Sequence, residues 1–225
     1  MTKMVLALAS GLVLITGIMT WGGGQQAVKP NSLRGAAVKA KAEGKNRINI
    51  RAPFGEYAGA ESPPDEVLAD ATVVIAQPID SYTYAPNEED IVTYYKFKVE
   101  ETLKEAPPCT RCPDRTPPDE ILPVNEGEFL LGMYGGTMSV DGVQVSMFEP
   151  GFPPFSKNKK YLLFLRKSTN GTVSLLVGPS GAYGVSPEGA IEPINGRPHP
   201  LKEAIAQRFN GSVEQLKQHL KKPKS

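Results

Sequence analysis

Short runs of β-branched and aromatic residues, separated by turn-forming residues, recur along the chain after Ala71. The 22 glycines and 21 prolines supply the turns and disfavour a helical bundle. Hydrophobic residues fill 40% of the 225 positions, which suffices for one folded domain. The pattern predicts a mainly β protein, an antiparallel OB-like β-barrel or sandwich with a short N-terminal helix and C-terminal helices.

Two segments have the clearest strand patterns. Residues 71–77 are apolar on both faces, so we expect a central strand that ends at Pro78. Residues 91–103 alternate, with Thr93 and Phe97 on one face and Tyr94 and Lys96 on the other. The first of these two faces is therefore predicted to be buried.

A β-hairpin is predicted around Asp141-Gly142, since this pair suits the positive φ angles of a type I′ turn. The turn predicts the register of both strands: Val140 with Val143, Ser139 with Gln144, and Met138 with Val145. Helices are predicted over about 63–70 and at the C-terminus, where two apolar stripes recur with helical spacing. The stripes are Leu201, Ala204, Ile205 and Phe209, then Val213, Leu216 and Leu220.

The N-terminus predicts export. Lys3 precedes an uncharged run over residues 4–21, typical of a signal peptide, although its eighteen residues also reach the lower length for a membrane anchor. We therefore expect a signal peptide or anchor over 1–24, a flexible basic arm over 25–52, and a β-barrel domain with C-terminal helices over 53–225. The expected location is secreted, periplasmic, or anchored to the inner membrane.

The composition excludes several kinds of chemistry. With a formal net charge of +1, the protein has no overall positive potential that would attract nucleic acid. Two histidines and two cysteines are too few for a Cys/His zinc module, so no metal and no cofactor are predicted. The segment around Ser180 weakly resembles the nucleophile elbow of hydrolases. Ser180 could act as a nucleophile only if the fold placed His199 or His219 beside it as a base.

Cys109 and Cys112 form a C-x-x-C pair within a proline-rich insertion. Redox proteins place this motif at the start of a helix, where the helix dipole lowers the pKa of the first thiol. Prolines on both sides disfavour such a helix here. The pair is predicted to form a small disulfide that staples the loop, with a thiol-disulfide function as the alternative.

Tyr82, Tyr84 and Tyr94 are expected to group around the hairpin that joins the first two long strands. Aromatic side chains with a polar tip serve as binding surfaces, and ordinary cross-strand packing is the alternative role. The three tyrosines are the candidate binding surface.

Several stretches resemble uncharacterised exported bacterial proteins over most of residues 45–220. The order of elements is also similar to the netrin-like module, which is shared by tissue inhibitors of metalloproteinases and has an OB-type barrel as its core. Those inhibitors ligate the zinc of their target with an N-terminal cysteine, whereas this chain has no cysteine before Cys109. The resemblance therefore implies an OB-type barrel, but it does not imply protease inhibition through an N-terminal cysteine. The stretches that carry it include residues 62–76, 95–99, 135–137, 160–165, 178–181 and 201–220.

Together these features predict a non-enzymatic, exported binding module. Its partner would be a protein or glycan at the cell envelope, and its N-terminal segment would contact the membrane. The alternatives are the thiol-disulfide protein and the hydrolase with Ser180.

Overall fold

The computed structural model describes residues 29, 31–51, 61–105, 121–149, 152–167, 173–196 and 198–221. Its helices are α1 (Leu33–Ala42), α2 (Pro64–Asp70), α3 (Pro200–Arg208) and α4 (Val213–Leu220). Its strands are β1 (Arg47–Arg51), β2 (Thr72–Tyr84), β3 (Val92–Lys104), β4 (Glu128–Tyr134), β5 (Gly136–Val140), β6 (Val143–Phe148), β7 (Lys160–Lys167), β8 (Val173–Leu175), β9 (Ala182–Val185) and β10 (Ile191–Pro193).

Five strands close into a barrel in the order β2-β3-β4-β8-β7, and β7 pairs again with β2. This arrangement is consistent with an OB-type barrel and confirms the predicted fold class. Two pairings are parallel: β4 with β8, through Leu131 and Val173, and β1 with β6. Closure needs the first of these, because the short strand β8 bridges β4 and β7.

Apolar side chains from alternate positions fill the barrel. Phe97 is fully buried and stacks on Phe129 with ring centroids 5.4 Å apart. Phe155 and Tyr161 meet Phe97 edge to face, at 5.1 and 6.4 Å. This aromatic group joins β3, β4, β7 and the segment before β7. A second core, on the outer side of β2 and β7, packs against α2, α3 and α4.

The hairpin of β5 and β6 has the predicted register and turn. Val140 pairs with Val143, and Met138 pairs with Val145. Asp141 and Gly142 both have positive φ angles, 48° and 82°, as a type I′ turn requires.

The prediction of a flexible arm over 25–52 is wrong for Leu33–Ala42, which form α1, and for Arg47–Arg51, which form β1. Ala37 and Ala40 of α1 are buried against the β5–β6 hairpin, where Val145 belongs to the same apolar cluster. β1 adds a parallel strand to β6. The burial of Leu33, Ala37 and Ala40 stabilises α1 in this basic segment.

The predicted end of the first strand at Pro78 is also wrong, because β2 continues to Tyr84. Ala76 is the last residue of β2 that pairs with β7, so Pro78 lies where β2 has only β3 as a described neighbour. A register shift follows between Pro78 and Asp80. Proline, which lacks an N–H donor, is tolerated at such edges and bulges.

Candidate functional site

The structure brings the three predicted tyrosines together on the outer side of the barrel. Tyr82 of β2 lies opposite Tyr94 of β3 in the ladder. Tyr84 follows two residues after Tyr82, so both side chains point to the same side of β2. Phe97 lies three positions from Tyr94 on β3 and points into the barrel instead. The tyrosines are therefore outside the core, at the end of β2 that extends past β7.

A fourth tyrosine, Tyr134 of β4, joins this group. Val92 pairs with Tyr84 on one side and with Tyr134 on the other, which places all three on one face. Tyr134 is 55% exposed and is close enough to influence the ionisation of Tyr94. We call this surface the tyrosine face, and it consists of Tyr82, Tyr84, Tyr94 and Tyr134.

Three rings of the tyrosine face, those of Tyr82, Tyr84 and Tyr94, form a nearly parallel row. The centroids of Tyr82 and Tyr84 are 5.8 Å apart with 16° between the ring planes. Those of Tyr84 and Tyr94 are 5.9 Å apart with 21° between the planes. Offset stacking of this kind is favourable for aromatic pairs. The three rings therefore support one another in this arrangement.

The Tyr94 ring packs over Gly132 of β4, in the space that a side chain at position 132 would occupy. Gly132 is the cross-strand partner of Tyr94, and a Cβ atom at position 132 would lie 3.0 Å from Cε1 of that ring. The ring thus covers the backbone of β4 at the one position where no side chain stands in its way. An aromatic ring over a cross-strand glycine also shields the strand from water.

The hydroxyl of Tyr94 is expected to ionise only at strongly alkaline pH. Burial, and then the neighbouring Tyr84 phenol with its hydrogen bond, raise the pKa of Tyr94 to about 12. The unfolded value is about 10, so this group stabilises the fold below pH 10, and the contribution is lost as the pH rises from about 10 to about 12. The measurement is an alkaline absorbance titration of wild type and Tyr94→Phe. The difference curve should have its midpoint near pH 12, and a midpoint near pH 10 would contradict the packing of Tyr94.

Charged residues beside the tyrosine face are engaged with each other. Asp80 and Lys96 form the pair two positions along the β2–β3 ladder from Tyr82 and Tyr94, after Ser81 and Tyr95. The Asp80 carboxylate accepts from the Ser81 N–H at 2.9 Å and lies 3.2 Å from the Lys157 ammonium, and these two groups lower the pKa of Asp80. Lys96 is 3.8 Å from Glu128, and both of these side chains are only 11% exposed. Each of these charges therefore has an oppositely charged neighbour, and three acidic residues, Glu88, Glu89 and Asp90, lie in the loop that follows Tyr84.

A second concave surface lies at the other end of β3. It is a cleft of about 1030 Å³ between α4, β9 and the segment that precedes β7. A β-bulge in the β2–β3 ladder directs both Glu100 and Glu101 toward it. Lys160 lies 3.5 Å from Glu100, and Lys217 of α4 lies 2.7 Å from Glu101. These ion pairs join β7 and α4 to β3 across the cleft.

The other residues considered for chemistry have local roles in the fold. His199 caps α3, since its Nδ1 accepts from the Leu201 N–H at 3.0 Å. His219 packs its ring against Phe209 on the terminal helices, at 5.1 Å between centroids. Ser180 is buried in a short 3-10 turn, Gly178–Gly181. Within the described part of the chain, no three His, Cys, Asp or Glu side chains are grouped to hold a metal ion.

Two predictions lie outside the described residues. These are the signal peptide or anchor over 1–24, and the disulfide or thiol pair of Cys109 and Cys112. Both stay predictions. Of the helices in the described ranges, none combines the length and the apolar character needed to cross a bilayer.

No protein-family model matches the chain, and no curated protein matches it. The fold and the surface define the chain as a mainly β protein with a closed five-stranded barrel and a row of stacked tyrosines on its outer side. The resemblance to exported bacterial proteins and to the netrin-like module stays a prediction.

Proposed function

We propose that the protein is a non-enzymatic binding module of the cell envelope, which holds a glycan or a protein on the tyrosine face. The observation that carries the proposal is the row of Tyr82, Tyr84 and Tyr94, stacked at 5.8 and 5.9 Å outside the hydrophobic core. Tyrosine supplies a large contact area and a hydroxyl at a small entropic cost, and it is enriched at binding hot spots.

The position of the face on the barrel supports the same function. OB-type barrels bind oligonucleotides and oligosaccharides on the face of their central strands, and the tyrosine face occupies β2, β3 and β4. This support is an analogy between folds, since one fold hosts many functions. Of the two ligand classes, nucleic acid requires several lysines or arginines for its phosphates. Lys96 and Lys157 beside the rings are instead paired with carboxylates.

Export completes the proposal. The apolar run over residues 4–21 behind Lys3 is typical of a segment that directs a chain across or into a membrane. The protein would then be secreted, periplasmic, or held at the inner membrane by this segment. The seven basic residues between positions 22 and 51 would lie near anionic head groups in the anchored case.

The experiment is co-sedimentation of the purified full-length protein with an insoluble envelope fraction from the source cells. Replacing both Tyr84 and Tyr94 with alanine should weaken binding at least about tenfold, because two hot-spot aromatic contacts are lost. Val38→Ala is the matched control, since Val38 is 49% exposed on α1, away from the rings. The proposal fails if a correctly folded double variant sediments as wild type does.

A further inference from the structure

We propose that His199 is an acid-sensitive cap on α3, and that its protonation below about pH 6.5 releases the first turn of that helix from the second core. The inference concerns a conformational property of the fold and does not depend on the tyrosine face. It is carried by the hydrogen bond from the backbone to the imidazole, by the burial of His199 and by the packing of α3.

His199 is the N-cap residue of α3, and its side chain satisfies the start of the helix. Its backbone is extended, with φ −157° and ψ 138°, and Pro200 follows inside the first turn. Nδ1 of the imidazole accepts from the Leu201 N–H at 3.0 Å. A backbone N–H can only donate, so Nδ1 must offer a free electron pair. The cap therefore requires the neutral imidazole, with its proton on Nε2.

A proton on Nδ1 removes this acceptor. Both nitrogens of an imidazolium are donors, so the Leu201 N–H would lose its hydrogen bond. The new cation would also lie at the N-terminus of α3, which is the positive end of the helix dipole. His199 is only 4% exposed, so little water could replace the lost bond. Protonation of Nδ1 and the capped first turn of α3 therefore exclude each other.

The charged groups near His199 come from α3 itself and from the elements that pack with it in the second core, α2 and α4. The 3-10 turn Gly178–Gly181 also packs against α3 and has no charged residue. The basic or titratable side chains of these helices are Lys202, Arg208, Lys217 and His219. The acidic side chains are all exposed, and they are Asp65, Glu66, Asp70, Glu203 and Glu214. Arg197, two residues before His199 in the sequence, lies outside the described residues. The three helices thus supply no buried carboxylate that would stabilise a proton on His199.

The packing of α3 limits how far an opening extends. Leu201, directly behind the cap, and Ile205 are buried in the second core. The far end of α3 is tied separately, because the Gly211 carbonyl after α3 accepts from the Ile191 N–H of β10 at 2.7 Å. Loss of the cap should therefore release the start of α3 and leave α4 in place.

Acid should favour the open form of α3. A free imidazole takes up its proton near pH 6.5, whereas His199 can take it up at Nδ1 only when the cap opens. Each opening then binds one proton, so opening becomes about tenfold more frequent for each pH unit below about 6.5. The cap is fully formed above about pH 7, and its contribution to stability is lost as the pH falls below about 6.5.

The test is amide hydrogen exchange of the full-length protein at about pH 7.5 and about pH 5.5, corrected for the pH dependence of the intrinsic exchange rate. The protection of residues 201–205 should fall about tenfold between the two conditions, while the β5–β6 hairpin keeps its protection. His199→Asn should abolish this fall, because asparagine caps a helix and does not titrate. His219→Gln changes the only other histidine of the chain and should behave as wild type does.

Three results would overturn the inference: equal protection of residues 201–205 in wild type under both conditions, a fall that persists in His199→Asn, or a fall that disappears in His219→Gln. A fall of the same size in the β5–β6 hairpin would also overturn it, because the effect would then be global. If His199→Asn does not fold, His199→Ser supplies a second cap that does not titrate. The proposed function stands in each of these cases, since the tyrosine face takes no part in the cap.

Discussion

Gly136→Ala is expected to lower the free energy of unfolding by about 4 kcal/mol, from added strain and overpacking. Gly136 has a φ of 141°, and a Cβ atom there would lie 2.3 Å from Oγ1 of Thr93 and 2.8 Å from Cγ2 of Thr83. Thr93 is buried, and its hydroxyl donates to the Gly135 carbonyl at 2.7 Å. An alanine methyl must push Thr93 away and break this bond, which ties β3 to the start of the hairpin.

Gly142→Ala is the matched control for Gly136→Ala. Gly142 also has a positive φ, 82°, but a Cβ atom there meets nothing within 4 Å. Its replacement should cost only the backbone strain, about 1 kcal/mol. Urea unfolding of both variants gives the comparison. Equal losses would show that the close approach of Gly136 to the two threonines does not exist in solution.

Phe97→Ala is expected to cost about 3–5 kcal/mol, the range for removing a fully buried phenylalanine. The ring contacts Phe129, Phe155 and Tyr161, which come from three different parts of the chain. Its loss therefore leaves a cavity inside the barrel, between β3, β4 and β7. For a chain of this length, the melting temperature should fall by roughly 6–20 °C.

The control for Phe97→Ala is Tyr134→Ala on the adjacent strand. Tyr134 is 55% exposed, so its truncation should change the stability by less than about 1 kcal/mol. Comparing the melting temperatures of the two variants shows which of the two side chains lies inside the barrel and which lies outside it. If both variants lose the same stability, the faces of β3 and β4 are assigned wrongly.

Local patterns in the sequence predict the elements whose partners are near in the chain. The Asp141-Gly142 turn determines every pair of the β5–β6 hairpin, because the two strands are separated only by that turn. The alternation before and after Phe97 predicts which side of β3 is buried. The apolar stripes of α3 and α4 likewise predict their buried residues, such as Leu201 and Leu216.

Contacts between distant parts of the chain account for the errors. Arg47 of β1 pairs with Gln144 of β6, and no local pattern in the basic N-terminal segment indicates that partner. β2 can continue through Pro78 because its pairing with β7 ends at Ala76 of β2, so Pro78 does not need to donate a hydrogen bond to β7. Closure of the barrel depends on the single parallel bridge between Leu131 and Val173. Tertiary context decides each of these points.

The same distinction explains the candidate site. Tyr82 and Tyr84 alternate on one strand, and Tyr94 follows on the next, so a hairpin brings the three together. Tyr134 belongs with them only through the pairing of β3 with β4, which the sequence does not specify. No sequence pattern around Gly132 indicates that the Tyr94 ring packs over it, although the absence of a side chain there makes room for that ring.

The most direct test of the central claim is hydroxyl-radical footprinting of the full-length protein, with and without the envelope fraction, read by mass spectrometry. If the tyrosine face holds the partner, oxidation of Tyr84, Tyr94 and Tyr134 should fall several-fold on binding, while Val38, which is exposed on α1, should be oxidised as before. Binding that protects Val38 and leaves the three tyrosines unprotected would contradict the account.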